Sequence, residues 1–160
     1  MVCMGNICRS PTAEGVLRTK LQHAGLDGAI TVDSAGTHGE WHRGEPPDRR
    51  AQAAAKLRGY DLSRLRARSV ATADFERFDL LLAMDQDNLS ELHRRADPTQ
   101  RHKLRRLGDY SLRGGHPDVP DPYYGAPAGF ERVLDLVEDA CDGLLDDLRQ
   151  QIHGRQQGTS

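Results

Sequence analysis

The chain has 160 residues, enough for one domain with a sizeable core, and its formal net charge of −2 gives no general case for nucleic-acid binding. No apolar run approaches the roughly 20 residues that span a membrane, and no signal-peptide core precedes Cys3, so the expected location is the cytoplasm, with no membrane partner. Three cysteines are an odd number, too few and too irregularly spaced for a disulfide framework or a four-ligand zinc site. Nineteen of the 22 basic residues are arginine. Runs such as Arg64-Leu65-Arg66-Ala67-Arg68 read mainly as a solvated face, with a local basic patch that steers an anionic phosphoprotein as the alternative.

In chain order, the first feature is Cys3 and Arg9 bracketing five residues, Met4-Gly5-Asn6-Ile7-Cys8, that run into Ser10-Pro11. Ser10 suits a helix N-cap and Pro11 the first helical position, so the loop ends where unpaired backbone N–H groups attract an anion. Gly5 lets the backbone bend, and a loop curled in this way turns its N–H groups inward. Arg9 adds a planar fork that matches two phosphate oxygens, and the same positive field favours a thiolate at Cys3. The pattern is a phosphate cradle with a nucleophile at its floor. Only Met1 and Val2 precede Cys3, so the strand that should seat the loop is truncated to two residues, and a start further upstream is the expected explanation.

Ala13, Val16, Leu17, Leu21 and Ala24 recur at helical spacing, with Gly25 as the stop. Ala29 to Ser34 reads as a short strand that ends in the turn Ala35-Gly36-Thr37. Taken by itself, Ser34 reads as an ordinary turn serine. His38 to Pro47 is a polar loop whose Trp41, set among Gly39, Glu40, His42 and Arg43, reads as exposed at a site rim. A helix is expected from Pro47 through Arg58, closed by Gly59, followed by a basic loop over Leu62 to Ser69. Phe78 to Met84 has the near-continuous apolar character of a strand buried on both faces. Asp87 or Asp85 is expected to cap the following helix, a reading preferred over a metal site.

His102 to Leu107 is the expected last strand, and Ser111 to Pro127 a long loop of the kind that carries function. From Phe130 onward Val133, Leu134, Val137, Cys141, Leu144, Leu145 and Leu148 fall on one helical face, which places Cys141 in the core. The domain is expected over 1–149, with 150–160 a polar, flexible tail. Strands alternating with helices imply a single-domain, three-layer α/β fold: a small parallel sheet of about four strands with helices on both faces and the ligand at the strands' carboxyl ends.

Three motifs carry a resemblance. Cys3 to Pro11 resembles the signature loop of low-molecular-weight protein tyrosine phosphatases, Asp33-Ser34-Ala35-Gly36-Thr37 their second-strand motif, and Asp121-Pro122-Tyr123-Tyr124 their general-acid loop. The resemblance implies phosphotyrosine hydrolysis in proteins through a cysteinyl-phosphate, with Cys3 as nucleophile, Arg9 as phosphate clamp and Asp121 as general acid. It assigns Met4, Gly5, Asn6, Ile7, Cys8 and Ser10 to the substrate-binding loop and Trp41, Tyr123 and Tyr124 to the cleft around the substrate ring. Asn6, Ser10 and Ser34 become loop supports. No cofactor or metal is implied. Leu65 stands where eukaryotic members carry a loop-supporting histidine, so that support is expected to be missing. Cys8 is either a redox partner that protects Cys3 by a disulfide or a small buried loop residue.

The implied partner is a tyrosine-phosphorylated protein, with a bacterial tyrosine kinase as one candidate, and the protein is expected as a monomer or weak homo-oligomer. Rivals within the fold are an arsenate reductase and a phosphoarginine phosphatase. The first relays a disulfide through a further cysteine pair, which is absent between Cys8 and Cys141. The second tends to carry a small polar residue where Ile7 sits. A non-catalytic phosphate-binding protein is the rival of another class.

Overall fold

A computed structural model describes residues 1–115 and 117–158 of the chain. Four parallel strands form one sheet in the order β2-β1-β3-β4, with β1 at Val2–Cys3, β2 at Ala35–Gly36, β3 at Leu81–Ala83 and β4 at Leu104–Arg106. The helices are α1 (Arg9–His23), α2 (Arg49–Leu57), α3 (Thr72–Arg77), α4 (Gln86–Arg95) and α5 (Ala128–Gln157), joined by short 3₁₀ turns. Because successive strand residues face opposite sides, the sheet sorts its apolar side chains into two layers. Cys3, Leu82 and Met84 join the core under α1, α2 and α5, which includes Val16, Leu21, Val133, Val137 and Leu144. Val2, Leu81, Ala83 and Leu104 face the other way onto Phe75 and Leu92 of α3 and α4. This is the three-layer α/β arrangement with helices on both faces.

Several boundaries differ from the sequence expectation, for local reasons. The strand expected over Ala29 to Ser34 is not laddered there, and pairing begins at Ala35, opposite Val2. The run Phe78 to Met84 is laddered only at Leu81–Ala83. Both flanking strands are therefore shorter than their apolar runs on the same side. A parallel ladder needs a neighbour: β2 has one at Val2 and Cys3, and β3 has one in β4 at Leu81–Ala83, with β1 adding only Val2 opposite Ala83. In the stretch His102 to Leu107 only Leu104–Arg106 is strand, because Pro98–Lys103 winds as a 3₁₀ turn.

Two helix ends also move. Ser10 is not the N-cap of α1: the helix starts at Arg9, and the Ser10 hydroxyl is drawn away to Cys3 and Asn6. α2 starts at Arg49 rather than Pro47, since Asp48 accepts a hydrogen bond from the Arg50 amide and takes the cap. The expected tail from residue 150 is helical as far as Gln157. Gln151 donates to Asp147 one turn back, and no proline breaks the run. Thr159 and Ser160 of that stretch, and His116 of the long loop, lie outside the described residues.

Candidate active site

The loop between β1 and α1 closes around Asn6. Its φ of 58° is a left-handed conformation that asparagine tolerates better than most residues, and it turns the buried carboxamide inward. Asn6 Nδ2 donates to Ser10 Oγ at 2.8 Å and to Ser34 Oγ at 3.0 Å, while its Oδ1 accepts from the backbone N–H of Arg68 at 3.0 Å. The Ser34 hydroxyl donates in turn to Glu14 Oε1 at 2.7 Å, and Glu14 pairs with Arg18 at 2.7 Å. Since Ser10 Oγ already accepts from Asn6, its O–H is free to donate to Cys3 Sγ, 3.0 Å away.

The turn after β2 clasps the same loop. Thr37 N donates to Cys3 O at 2.9 Å and His38 N to Met4 O at 2.8 Å. A side chain at Gly36 would put its Cβ 2.5 Å from Met4 O, so only glycine lets these backbones approach. Leu65 packs against the core and makes no support for the loop. Asn6 is nonetheless fully partnered, because the Arg68 amide supplies the donor to its oxygen.

Arg9 is only 2% exposed. Its Nη1 donates to Asp85 Oδ2 at 2.5 Å and to Val119 O at 3.0 Å, and its Nη2 lies 3.7 Å from Asp121 Oδ2. Burial works against the charged guanidinium, but Cys3, Asp85 and Asp121 outweigh it and hold Arg9 above its ordinary pKa. Asp85 does two things at once: Oδ1 caps α4 through the Asn88 amide and Oδ2 aims Arg9. Cys8 behaves differently from a nucleophile. Burial, followed by the nearby Asp48, Cys3 and Asp121, pushes its thiol up to about 12.

Asp121 sits at the mouth, its side chain 44% exposed, with Oδ1 accepting from the Tyr123 amide at 3.1 Å. Around the opening, Trp41 is 61% exposed and stacks on His38 with centroids 4.7 Å apart. Tyr124 is 94% exposed and meets Tyr123 edge-on at 4.8 Å. Met4 is also exposed at the loop tip, whereas Ile7 and Cys8 are buried. Cys3, Arg9, Asp121 and the loop residues thus share one end of the sheet. Cys141 is far from this chemistry in purpose, fully buried on α5 with its thiol pushed up to about 12 by burial.

Four residues around the site are invisible to sequence reading as contributors: Asp85 as the anchor of Arg9, Glu14 as the end of the hydroxyl chain, Arg68 as amide donor, and Asp48 beside Cys8. A buried arginine needs an anion, and Asp85 at a strand's carboxyl end is the one such signal the sequence offers. Among the described residues no cluster of three or more His, Cys, Asp or Glu is arranged for a metal, and no helix is long and apolar enough to cross a membrane.

Residues 1–154 match the family model described as low molecular weight phosphotyrosine protein phosphatase. The chain belongs to that family. A low molecular weight protein-tyrosine-phosphatase of Streptomyces coelicolor is 48% identical over 158 residues, covering 96% of this chain and 94% of the relative. A putative low molecular weight protein-tyrosine-phosphatase of Synechocystis is 47% identical over 153 residues, covering 94% and 96%. Among solved structures, a protein tyrosine phosphatase of Entamoeba histolytica with Hepes in its active site aligns with a TM-score of 0.90 at 41% identity, covering 94% of this chain and 95% of that one.

Proposed function

We propose that this chain removes phosphate from phosphotyrosine in proteins through a cysteinyl-phosphate intermediate. One observation carries the reading: the Cys3 sulfur accepts from Ser10 at 3.0 Å beside a buried Arg9 that Asp85 aims and that lies 3.7 Å from Asp121. In the first step the Cys3 thiolate attacks phosphorus in line; the S–P bond forms as the bond to the tyrosine oxygen breaks, and Asp121 gives its proton to that oxygen. Arg9 and the inward amides of Met4 to Arg9 hold the equatorial oxygens. In the second step the Asp121 carboxylate takes a proton from water, the water oxygen attacks phosphorus, and the S–P bond breaks. Inorganic phosphate leaves and the thiolate returns, stabilised as leaving group by Ser10. No step of this route calls on a metal or organic cofactor.

Trp41, Tyr123 and Tyr124 supply exposed aromatic faces on which a phenyl ring can stack. Ile7 offers no polar partner to a guanidinium, which favours phosphotyrosine over phosphoarginine. The buried Cys141 supplies no second thiol for an arsenate-type disulfide relay. The substrate is a tyrosine-phosphorylated protein, a bacterial tyrosine kinase being one candidate, met in the cytoplasm where thiols stay reduced.

Turnover of p-nitrophenyl phosphate tests the reading. Cys3→Ser is expected to abolish it, and Asp121→Ala to slow it by about 10²–10⁴, the usual range for a general acid, while vanadate still binds. Normal turnover by Cys3→Ser would sink the mechanism. Comparing kcat/KM on phosphotyrosine and phosphoarginine peptides decides the substrate class, and preference for phosphoarginine would overturn the assignment.

A further inference from the structure

Asp121 lies in a stretch with no regular structure, and something must hold it at a fixed reach from the phosphate. From Pro120 to Pro127, the hydrogen bonds among the described residues are local ones: Tyr123 N to Asp121, Gly125 N to Pro122 O, and the first turn of α5. A single hydrogen bond leaves the segment for another part of the protein. It runs from Arg50 Nη2 to Tyr123 O at 3.0 Å. The other links outward are the ion pair of Asp121 with Arg9 and the Tyr123 ring, which packs against the core with its centroid 6.5 Å from that of His42.

Arg50 is itself held rigidly. Asp48 accepts from its backbone N–H at 2.8 Å, its Nε at 3.1 Å and its Nη2 at 2.9 Å, which fixes the guanidinium plane. That guanidinium lies 4.7 Å from the centroid of the Phe130 ring, at the start of α5, and 5.6 Å from that of Tyr123. Asp48 in turn donates its backbone N–H to Ile7 O of the phosphate loop at 2.8 Å. The phosphate loop, the acid segment and the base of α5 therefore meet at one planar cation. Tyr123 is two residues from Asp121 and its amide holds the Asp121 carboxylate, so a shift of the Tyr123 carbonyl carries the acid with it. Pro120 and Pro122 stiffen the intervening chain, which makes one tether sufficient.

We propose that Arg50 is the positioning residue of the general acid: through Asp48 and the Tyr123 carbonyl it sets the distance between Asp121 and the phosphate loop. The proposal rests on the reading of Asp121 as general acid. The Arg50 guanidinium bonds to Asp48 and to Tyr123 O and not to Cys3, Arg9 or Asp121, so its removal acts through the placement of the proton donor. The loss then depends on how much the leaving group needs a proton. Lysine can reach one acceptor but cannot bridge Asp48 and the carbonyl in one plane, so it restores part of the effect.

The experiment measures kcat/KM, which reports phosphoryl transfer to Cys3, over aryl phosphates running from p-nitrophenyl phosphate to phenyl phosphate and a phosphotyrosine peptide. Arg50→Ala is expected to lose roughly ten- to a hundredfold on phenyl phosphate, a part of the general-acid contribution, and only a fewfold on p-nitrophenyl phosphate. Arg50→Lys falls between Arg50→Ala and the parent. In an Asp121→Asn background the same Arg50→Ala change costs no more than a fewfold on any substrate, because the group it positions is gone. An equal loss across the series, or an undiminished loss in the Asp121→Asn background, overturns the proposal. If Asp121→Asn steepens the leaving-group dependence and Arg50→Ala does not, the positioning role falls and the acid stands. If Asp121→Asn leaves that dependence unchanged, the acid assignment falls and takes the positioning role with it.

Discussion

The two ends of the parallel sheet are built on opposite terms. At the carboxyl end, buried polar side chains are linked in chains, although Asn88 Oδ1 and Arg106 Nε are buried without a partner among the described residues: a run of hydrogen bonds links Cys3, Ser10, Asn6, Ser34 and Glu14, and a second links Asp85, Arg9 and Val119 O. At the amino end, a cavity of about 610 Å³ opens between the unladdered stretches ahead of β2 and β3, lined by Met1, Ile30, Val32, Leu80, Leu148 and Ile152 among others. The lining also includes Ser34 and Arg68, so the hollow reaches the outer supports of the phosphate loop but none of Cys3, Arg9 and Asp121. Phosphate chemistry needs fixed donors more than it needs volume, because donors aimed in advance do not reorganise during the reaction. The cost of that order is concentrated in a few buried polar pairs, while the apolar end has slack.

Removing one member of a satisfied pair is the largest way to break this contrast. Asp85→Ala leaves Arg9 buried with the carbonyl of Val119 and the more distant Asp121, and losing one partner of a buried ion pair costs about 3–5 kcal/mol. A urea midpoint well below that of the parent, together with weaker phosphate binding, is the expected result. An unchanged midpoint would mean that Arg9 finds other partners and that the carboxyl end is less exacting than its hydrogen bonds imply. Ser34→Ala is the next step down. It removes the acceptor of Asn6 Nδ2 and the donor to Glu14, and unsatisfied buried polar groups cost about 1–3 kcal/mol. Here the loop should loosen as well, so turnover of p-nitrophenyl phosphate is expected to fall along with stability.

The amino end predicts gains instead of losses. Fusing four or five apolar β-forming residues ahead of Met1 would extend β1 into the cavity and give the stretches before Ala35 and Leu81 a ladder partner. After ordering costs, a net gain of about 1 kcal/mol corresponds to a melting temperature higher by about 2–4 °C for a chain of this size. Amide exchange of Ala29 to Ser34 should slow at the same time. If the fusion neither raises the melting temperature nor protects those amides, the cavity is not a vacant strand position.

How much of this was legible in the sequence follows the same division. The phosphate loop is local: nucleophile, glycine, arginine and helix start occupy nine consecutive residues from Cys3 to Pro11, and their types alone suggest the chemistry. The apolar runs at Leu81 to Ala83 and along α5 are legible for the same reason, since periodicity is a short-range property. The supports are not. Arg68 reaches Asn6 across 62 positions, Arg9 reaches Asp85 across 76 and Arg50 reaches Tyr123 across 73, and no single-sequence pattern pairs them. Ser10 illustrates how such pairings defeat local rules. A serine before proline reads as a cap, yet Asn6 and Cys3 claim its hydroxyl and the helix starts two residues earlier than that reading implies, at Arg9. Strand lengths fail in the other direction, because a strand is as long as its neighbour allows.

The smallest expected effect on stability concerns the two loop cysteines, which the same end of the sheet treats in opposite ways. Cys3 Sγ faces the Ser10 hydroxyl at 3.0 Å, whereas burial and then the negative groups around Cys8, Cys3 among them, push the Cys8 thiol up to about 12. A thiol held there is protonated at neutral pH and a poor nucleophile, so iodoacetamide at pH 7 should label Cys3 and leave Cys8 unmodified, as peptide mass mapping would reveal. Peroxide changes the balance. Oxidation turns the Cys3 thiolate into a neutral sulfenic acid, which removes one of the charges that keep Cys8 protonated. Cys8 can then condense with it: the S–S bond forms as the S–O bond of the sulfenic acid breaks, and the hydroxyl leaves as water with the Cys8 proton. Thiol treatment is expected to restore activity to the oxidised parent and to restore less of it to Cys8→Ser, whose Cys3 has no partner and proceeds to the irreversible acids. Equal recovery of the two proteins would leave Cys8 as a buried loop residue with no protective role.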